Sequence, residues 1–330
     1  MDSKIVCYVT DDAYLPYAVI SVCSLLRFNS GVTVCVFTGG LSSDNRSLLN
    51  KVVYSYGGVL LVFDVSSRLR SLSRLSCGYG LHRGFASLLP LVKLYIADYL
   101  PGNDSRVLYL DCDTLINGSL DFLFDGFDMR GRSLALAPDC MIRSYRKVIN
   151  VPDDRPYFNC GVTLLDLARF RSSRFKSRFF GLLKLAPSLA FCEQDVINRF
   201  MQDDVACLPP HFNSLSAFQL YDYSGVRRVS GFVPFSAADF KIAVRSPSVI
   251  HFAGNSFARP WFKASVHPFR SLFLFNARMA GVAPRLVNLS GGFSFVYRIQ
   301  HLLWRLLPRS LFNLVSSLFC RFHVFRCYGV

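Results

Sequence analysis

At residues 107–113 the chain reads Val107-Leu108-Tyr109-Leu110-Asp111-Cys112-Asp113, an apolar strand that ends in two aspartates. Side chains two residues apart in an extended backbone point to the same side, so both carboxylates face one space. Such oxygen ligands suit a hard divalent cation that is shared with substrate phosphates. The tripeptide Asp111-Cys112-Asp113 alone is more often two solvated aspartates at a strand end, so its interpretation depends on the rest of the chain.

The stretches before this strand alternate between strand and helix patterns. The patterns predict strands at residues 4–9, 32–37 and 59–65, and helices at residues 14–28, 42–56 and 85–100. Alternation of this kind predicts a mostly parallel sheet covered by helices. In such folds ligands bind at the carboxyl ends of the strands, where the polar residues of this chain also lie.

Composition limits the class of protein. Hydrophobic residues make up 52% and charged residues 18% of the 330 residues, which provides a large core and excludes intrinsic disorder. The formal net charge is +15, which predicts an anionic partner: a nucleic acid, an anionic membrane surface or a phosphorylated small molecule. Asp239 is the last acidic residue, so all the charged side chains after it are basic.

Several targeting and redox signals are missing from the sequence. The 11 cysteines are scattered singly without a Cys-x-x-Cys spacing, which predicts reduced thiols and not a disulfide or zinc framework. No apolar run approaches the roughly 20 residues that a membrane-spanning helix needs. The first residues lack the pattern of a secretory signal, so we expect a cytoplasmic protein.

Four more motifs occur along the chain, one before residues 107–113 and three after them. Together the five motifs resemble those of a known family. They are Val9-Thr10-Asp11-Asp12-Ala13-Tyr14, Tyr157-Phe158-Asn159-Cys160-Gly161-Val162, Glu193-Gln194-Asp195-Val196-Ile197-Asn198, and His251-Phe252-Ala253-Gly254 with Arg259-Pro260-Trp261 close behind. The set resembles glycosyltransferase family 8, retaining transferases of the GT-A fold, and most of all the bacterial lipopolysaccharide glucosyl- and galactosyltransferases. The resemblance covers about residues 4 to 280. It implies an α/β GT-A fold, a Rossmann-like mixed sheet flanked by helices, for residues 1–281.

The resemblance also implies a ligand set and a donor site. Asp111, Asp113 and His251 match the protein ligands of Mn²⁺, and Mg²⁺ is the alternative ion. The other matched positions surround a UDP-hexose donor. They are Asp11 and Tyr14 at uracil and ribose, Cys112 within the metal motif, Gly254 and Arg259 at the diphosphate, and Lys93, Asp139, Asn159, Glu193 and Gln194 around the sugar.

Three positions depart from the family pattern. Glu193 stands where the family usually has Asp, Arg259 where it usually has Lys, and Lys93 where it often has Arg. Arg binds phosphate in a bidentate manner, so the charge at position 259 is kept while the geometry changes.

The residues alone leave structural alternatives for several of these positions. His251 could be a core histidine at a strand end, and Asn159 could be a turn residue before Gly161. Asp195 and Asn198 could be caps or solvated positions of a helix.

The resemblance predicts an enzyme that moves glucose or galactose from a UDP-sugar to a lipopolysaccharide core oligosaccharide in an α linkage. Front-side displacement with the amide oxygen of Gln194 near the anomeric carbon is the preferred mechanism, and double displacement through Glu193 or Asp195 is the alternative. Other hypotheses are an inactive family member that acts as a scaffold, a self-glucosylating starter protein and a nucleic-acid-binding protein. We expect no nucleic acid partner, because the basic C-terminal region carries no recognisable nucleic-acid-binding motif.

Residues 282–330 predict a second segment, a basic amphipathic anchor on an anionic membrane surface. Apolar residues recur at helical spacing on either side of Pro308, with arginines and Trp304 among them. The apolar set is Ile299, Leu302, Leu303, Leu306, Leu307, Leu311, Leu314, Val315, Leu318, Phe319 and Phe322, and the arginines are Arg298, Arg305, Arg309, Arg321 and Arg326. The alternative is that these helices pack their apolar stripe on the catalytic domain. The anchor predicts a protein that is peripheral on the inner face of the cytoplasmic membrane.

Overall fold

The computed structural model describes residues 4–79, 88–102, 106–183, 191–254, 259–284, 286–288 and 293–328. Its strands are β1 (Lys4–Val9), β2 (Val32–Thr38), β3 (Val59–Asp64), β4 (Arg106–Leu110), β5 (Thr114–Ile116), β6 (Leu134–Pro138), β7 (Phe158–Asp166), β8 (Val205–Cys207), β9 (Ser214–Leu215) and β10 (Val249–His251). Its α-helices are α1 (Leu15–Phe28), α2 (Ser43–Ser55), α3 (Ser66–Tyr79), α4 (Ile96–Tyr99), α5 (Arg143–Val148), α6 (Leu167–Ser172), α7 (Phe175–Leu183), α8 (Cys192–Phe200), α9 (Ser216–Leu220), α10 (Tyr223–Ser230), α11 (Ala237–Arg245), α12 (Arg270–Met279), α13 (Phe293–Leu306) and α14 (Arg309–Tyr328).

The described chain forms two compact units. The first contains Met1–Ala137 and Phe158–Leu208, and the second contains Pro138–Tyr157 and Pro209–Val330. This division does not coincide with the domain boundary after residue 281, which stays a prediction.

A seven-stranded mixed sheet forms the core of the first unit, in the order β3-β2-β1-β4-β7-β6-β8. β1 pairs in parallel with both β2 and β4, with Cys7 opposite Cys35 and Tyr109. β7 runs antiparallel to β4, so the start of β7 lies beside the end of β4. The α/β prediction is therefore confirmed, and the antiparallel β7 adds one more strand terminus to the edge where β1 and β4 end.

The segment predicted as one helix at residues 85–100 is different in the structure. Residues 85–87 lie outside the described part, Leu89–Tyr95 form a 3₁₀ helix, and α4 is only one turn long. Five consecutive residues, Leu91 to Tyr95, are buried. A segment buried on all sides takes its geometry from its neighbours, which overrides the helical periodicity.

In the second unit α14 packs through a largely polar face. Ser316 and the hydroxyl of Tyr221 are 2.7 Å apart, and Asn313 donates to Asp222 at 2.9 Å. Asn313 lies so close to Gly225 that a Cβ there would be 2.5 Å from its Nδ2. The ring of Phe312 stacks on Tyr221 at 5.9 Å and supplies the apolar part of the contact.

The opposite face of α14 is apolar and exposed to solvent. Leu311, Leu314, Leu318 and Phe319 are each 44–57% exposed. Among the described side chains of α14, these four therefore do not pack their apolar surface against the rest of the unit. The side chains of Arg298, Arg321, Phe322 and Arg326 lie outside the described part of the chain. None of the helices that the structure describes combines the length and apolar character needed to cross a bilayer.

Candidate active site

The ends of three neighbouring strands place the first group of predicted site residues. Asp11 follows β1, Asp111 follows β4, and Asn159 lies at the start of antiparallel β7. The backbone N–H of Asp111 donates to the carbonyl of Gly161 at 2.7 Å, which joins the end of β4 to the start of β7. Residues far apart in sequence thus meet at one edge of the sheet, as expected from strand topology.

Asp111 is fixed by three hydrogen bonds besides this one. Its carboxylate accepts the hydroxyl of Tyr109 at 2.6 Å. Its carbonyl accepts the hydroxyl of Thr114 at 2.8 Å and the Thr114 N–H at 3.2 Å. Burial, with the negative charge of Asp111 beside it, raises the pKa of Tyr109, so the phenol stays protonated and keeps donating.

Lys93 is a buried cation between two carboxylates. Its Nζ lies 3.1 Å from Glu193 Oε1 and 3.8 Å from Asp111 Oδ1. It also donates to the carbonyl of Cys160 at 3.2 Å and lies 4.5 Å from the centre of the Tyr109 ring. Burial alone would lower the pKa of Lys93, but Glu193 and Asp111 outweigh burial and raise it above its usual value. Lys93 is therefore a permanent positive charge at this edge.

Helix α8 carries the three predicted catalytic residues, and Asn198 fixes that helix to β7. The Asn198 side chain accepts the Phe158 N–H at 2.6 Å and donates to the Phe158 carbonyl at 2.8 Å. Gln194 Oε1 in turn accepts the N–H of Cys160 at 3.1 Å. Asp195 is fully buried and its carboxylate accepts the N–H of Phe191 at 2.8 Å, at the start of α8. The structure thus gives Asp195 a helix-capping contact, and its catalytic role stays a prediction.

The predicted nucleotide-binding residues lie at the start of α1. Asp11 accepts the N–H of Tyr14 at 2.9 Å, and the Tyr14 side chain is exposed. The neighbouring Asp12 accepts the Ser42 N–H at 2.9 Å and the Asn45 amide at 2.7 Å, so it is bound to the start of α2, whose N-cap residue is Ser42. The hydrogen bonds from Asn45 and Ser42 lower the pKa of Asp12.

Two further predicted residues of this first unit pack within it. The Cys112 thiol is buried and donates to the carbonyl of Val9 at 3.3 Å, and burial raises its pKa. Cys112 therefore joins β1 to the loop after β4 as a neutral thiol. Asn159 is 7% exposed and its side-chain oxygen accepts the N–H of Gly161 at 2.9 Å.

In the second unit His251 ends β10, which pairs in parallel with β9. Its Nδ1 lies 2.9 Å from Oδ1 of Asn213, and both side chains are buried. Gly254 follows with a φ of 96°, a conformation that favours glycine. The Arg259 guanidinium lies 5.5 Å from the centre of the Trp261 ring, which orients it. Asp139 is held at its backbone by a 2.7 Å hydrogen bond to the carbonyl of Tyr157.

Asp111, Asp113 and His251 form a group of side chains that could hold one metal ion. Two carboxylates and one imidazole, with positions left for diphosphate oxygens, suit Mn²⁺ or Mg²⁺. The residues present therefore fit the divalent cation that the sequence predicts.

The sequence analysis did not predict the contacts that three residues of this site make. The contact of Tyr109 had a signal in the sequence, because Tyr109 precedes Asp111 by two residues at the end of a predicted strand. Asn198 and Asn213 had none, since each bonds to a residue about forty positions away.

Comparison with known proteins identifies a family for this chain. A family model described as glycosyl transferase family 8 matches residues 5–265. General stress protein A of Bacillus subtilis is 22% identical over 243 residues, which are 72% of this chain and 79% of that protein. Lipopolysaccharide glucosyltransferase WaaO of Escherichia coli K12 is 24% identical over 221 residues, 63% of this chain, and the chain spans 62% of the length of WaaO.

The fold matches a solved structure as well. Galactosyltransferase LgtC, in complex with donor and acceptor sugar analogues, superposes with a TM-score of 0.68 and 23% identity over 85% of this chain and 97% of LgtC. This likeness identifies the sheet and its helices as the GT-A fold. Because the family model also covers well over half of the 330 residues, the chain belongs to glycosyl transferase family 8.

Proposed function

We propose that the chain is a retaining hexosyltransferase that moves glucose or galactose from a UDP-sugar to a lipopolysaccharide core oligosaccharide in an α linkage. The observation that carries the proposal is that Asp111, Lys93 and Glu193 converge beside Gln194 at one edge of the sheet. The names of the relatives support the substrate class, since WaaO is a lipopolysaccharide glucosyltransferase and LgtC a galactosyltransferase.

Asp111, Asp113 and His251 would hold the divalent metal, with Mn²⁺ favoured over Mg²⁺. When bound, it supplies Lewis-acid neutralisation of the charge on the departing diphosphate. Arg259, oriented by Trp261, would add a second positive charge at the diphosphate. Asp11 and Tyr14 would bind the uracil and ribose.

The donor sugar would contact the residues around Lys93. Glu193 has one carboxylate oxygen on Lys93, which leaves its other oxygen for a sugar hydroxyl. Asn159 and Asp139 complete this proposed set.

We favour front-side displacement over double displacement. Gln194 Oε1 already accepts the Cys160 N–H, which fixes the direction in which the amide oxygen would face a positively charged anomeric centre. Asp195 is a poor nucleophile because its carboxylate is fully buried and bonded to Phe191. Isolation of a glycosyl adduct on Glu193 or Asp195 would establish double displacement instead.

The exposed apolar face of α14 supports a membrane-surface partner. Leu302 and Leu306 of α13 are also exposed, and Arg305 and Arg309 lie near them in sequence. An apolar face with arginines and no acidic residue after Asp239 is what binding to an anionic leaflet requires. We therefore place the enzyme on the inner face of the cytoplasmic membrane, next to a lipid-linked acceptor.

The test is release of UDP from UDP-glucose and UDP-galactose, with and without Mn²⁺ and with truncated core oligosaccharides as acceptors. The proposal expects acceptor-dependent release that stops in EDTA. Binding of UDP-sugar without turnover would indicate a scaffold, and mass added to the chain itself would indicate self-glucosylation. If the protein neither binds nor turns over UDP-sugar but does bind RNA or DNA, it is a nucleic-acid-binding protein.

A further inference from the structure

His251 is held at its ring and at its backbone. Its Nδ1 lies 2.9 Å from Oδ1 of Asn213, and its carbonyl accepts the hydroxyl of Ser216 at 3.4 Å. Parallel pairing of β9 with β10 sets Ile250 opposite Ser214, which fixes the backbone from which both side chains extend. Asn213 is fully buried.

This contact selects one tautomer of the imidazole. An amide oxygen only accepts hydrogen bonds, so the proton of the neutral ring must lie on Nδ1, and Nε2 keeps its lone pair. A metal binds the unprotonated ring nitrogen. We infer that Asn213 is a positioning residue that holds His251 as the Nδ1–H tautomer and so presents Nε2 to the divalent cation.

The inference rests on the proposed metal-dependent function. The tautomer of His251, however, is a property of the protein without metal and can be measured separately. An amide fixes the ring without adding negative charge to a donor set that already contains two carboxylates. Groups that hydrogen-bond the second ring nitrogen of a metal-bound histidine fix its tautomer and orientation. Loss of such a group typically weakens metal affinity by about 10–100-fold.

The first experiment records long-range ¹H–¹⁵N spectra of the full chain labelled at histidine nitrogens, without metal or donor, at a pH where His251 is neutral. The signal is assigned by its loss in His251→Gln. The inference expects a protonated Nδ1 and an unprotonated Nε2 at His251. The opposite tautomer would overturn it, whatever the enzyme transfers.

The second experiment measures Mn²⁺ binding to the full chain by electron paramagnetic resonance. Asn213→Leu removes the acceptor and should weaken binding about 10–100-fold, whereas Asn213→Asp keeps an acceptor and should stay within about threefold of the parent protein. Asn276→Leu is the matched control, because Asn276 is also buried and its Nδ2 donates to the Leu272 carbonyl at 2.8 Å within α12. It should bind Mn²⁺ normally.

Unchanged binding by a folded Asn213→Leu would overturn the inference. If that variant does not fold, weak binding by a folded Asn213→Asp, or the wrong tautomer in the spectra, overturns it. Failure of the parent protein to bind Mn²⁺ would instead refute the metal-dependent function, and the spectra would still decide the tautomer.

Discussion

The ammonium of Lys93 lies 3.1 Å from the carboxylate of Glu193, although 100 residues separate them in sequence. Both side chains are at most 13% exposed, so each charge depends on the other for compensation. Removal of one partner of a buried pair leaves an uncompensated charge, which typically destabilises a protein by about 3–5 kcal/mol.

Lys93→Met should therefore lower the free energy of unfolding by about 3 kcal/mol and abolish hexose transfer. The double variant Lys93→Met/Glu193→Gln should lose less stability than the sum of the two single changes, because it leaves no carboxylate at position 193. Urea unfolding of all four proteins gives the comparison. Strict additivity would mean that the pair does not interact energetically.

Asp113→Ala should lower turnover by several orders of magnitude with little change in stability, since its carboxylate is proposed as a metal ligand. Asp44→Ala, at an exposed position in the first turn of α2, is the control and should behave as the parent protein. The measurements are UDP release and the melting temperature. Substantial Mn²⁺-independent activity of Asp113→Ala in EDTA would end the metal proposal.

Arg259→Lys should cause a modest loss of activity, because the charge at the proposed diphosphate position is kept. Arg259→Ala should cost roughly 2–4 kcal/mol of transition-state stabilisation, read from kcat/KM. Equal losses in the two variants would show that the side chain matters for its packing on Trp261 and not for phosphate.

His267 should make the protein sensitive to acid. Burial lowers the pKa of this ring to about 3, below the unfolded value of about 6.5. As the pH falls, the unfolded chain takes up the proton first, so the stability held by neutral His267 is complete above about pH 6.5 and is lost towards pH 3.

The measurement compares urea unfolding at pH 6.5 and pH 4.5 in the parent protein and in His267→Asn. An asparagine oxygen can replace Nδ1 as the acceptor of the Phe269 N–H without titrating. The parent should lose about 2 kcal/mol more than the variant over this interval. Parallel pH profiles would contradict the assignment.

The exposed face of α14 should decide membrane binding. The triple change Leu311→Gln/Leu314→Gln/Leu318→Gln in the full chain should abolish flotation with anionic vesicles, since it removes most of the apolar area available for insertion. Val59→Thr/Leu61→Thr removes exposed apolar side chains from β3 and serves as the control. Flotation of the parent should weaken as salt rises. Flotation that is insensitive to salt and lipid charge would refute the anchor.

The local features of the fold were predictable from the sequence. Strand β1 matches the predicted residues 4–9, and α1 begins one residue after the predicted start at residue 14. The patterns of period 2 and 3.6 that identify such elements depend only on neighbours in sequence. The carboxylates Asp111 and Asp113 were predictable for the same reason, because they belong to one short motif.

The contacts that complete the site depend on pairing between distant segments. Asn198 meets Phe158 only because α8 packs beside the start of β7, and Asn213 meets His251 only because β9 pairs with β10. An asparagine in an apolar stretch gives no sign of which backbone group or ring it will meet. The 3₁₀ geometry around Lys93 likewise follows from burial of the whole segment, which periodicity does not reveal.

The close approach of Asn313 to Gly225 restricts the order in which these two positions can change during evolution. With Asn313 in place, a methyl group at position 225 would lie 2.5 Å from its Nδ2, so Gly225→Ala forces the Asn313 amide out of its hydrogen bond to Asp222. Once Asn313 has been replaced by a smaller residue, the same alanine would favour α10, because glycine within a helix costs roughly 0.5–1 kcal/mol relative to alanine. One substitution thus changes from harmful to beneficial according to its partner. Lineages that lose the asparagine first can reach sequences that are closed to those that lose the glycine first.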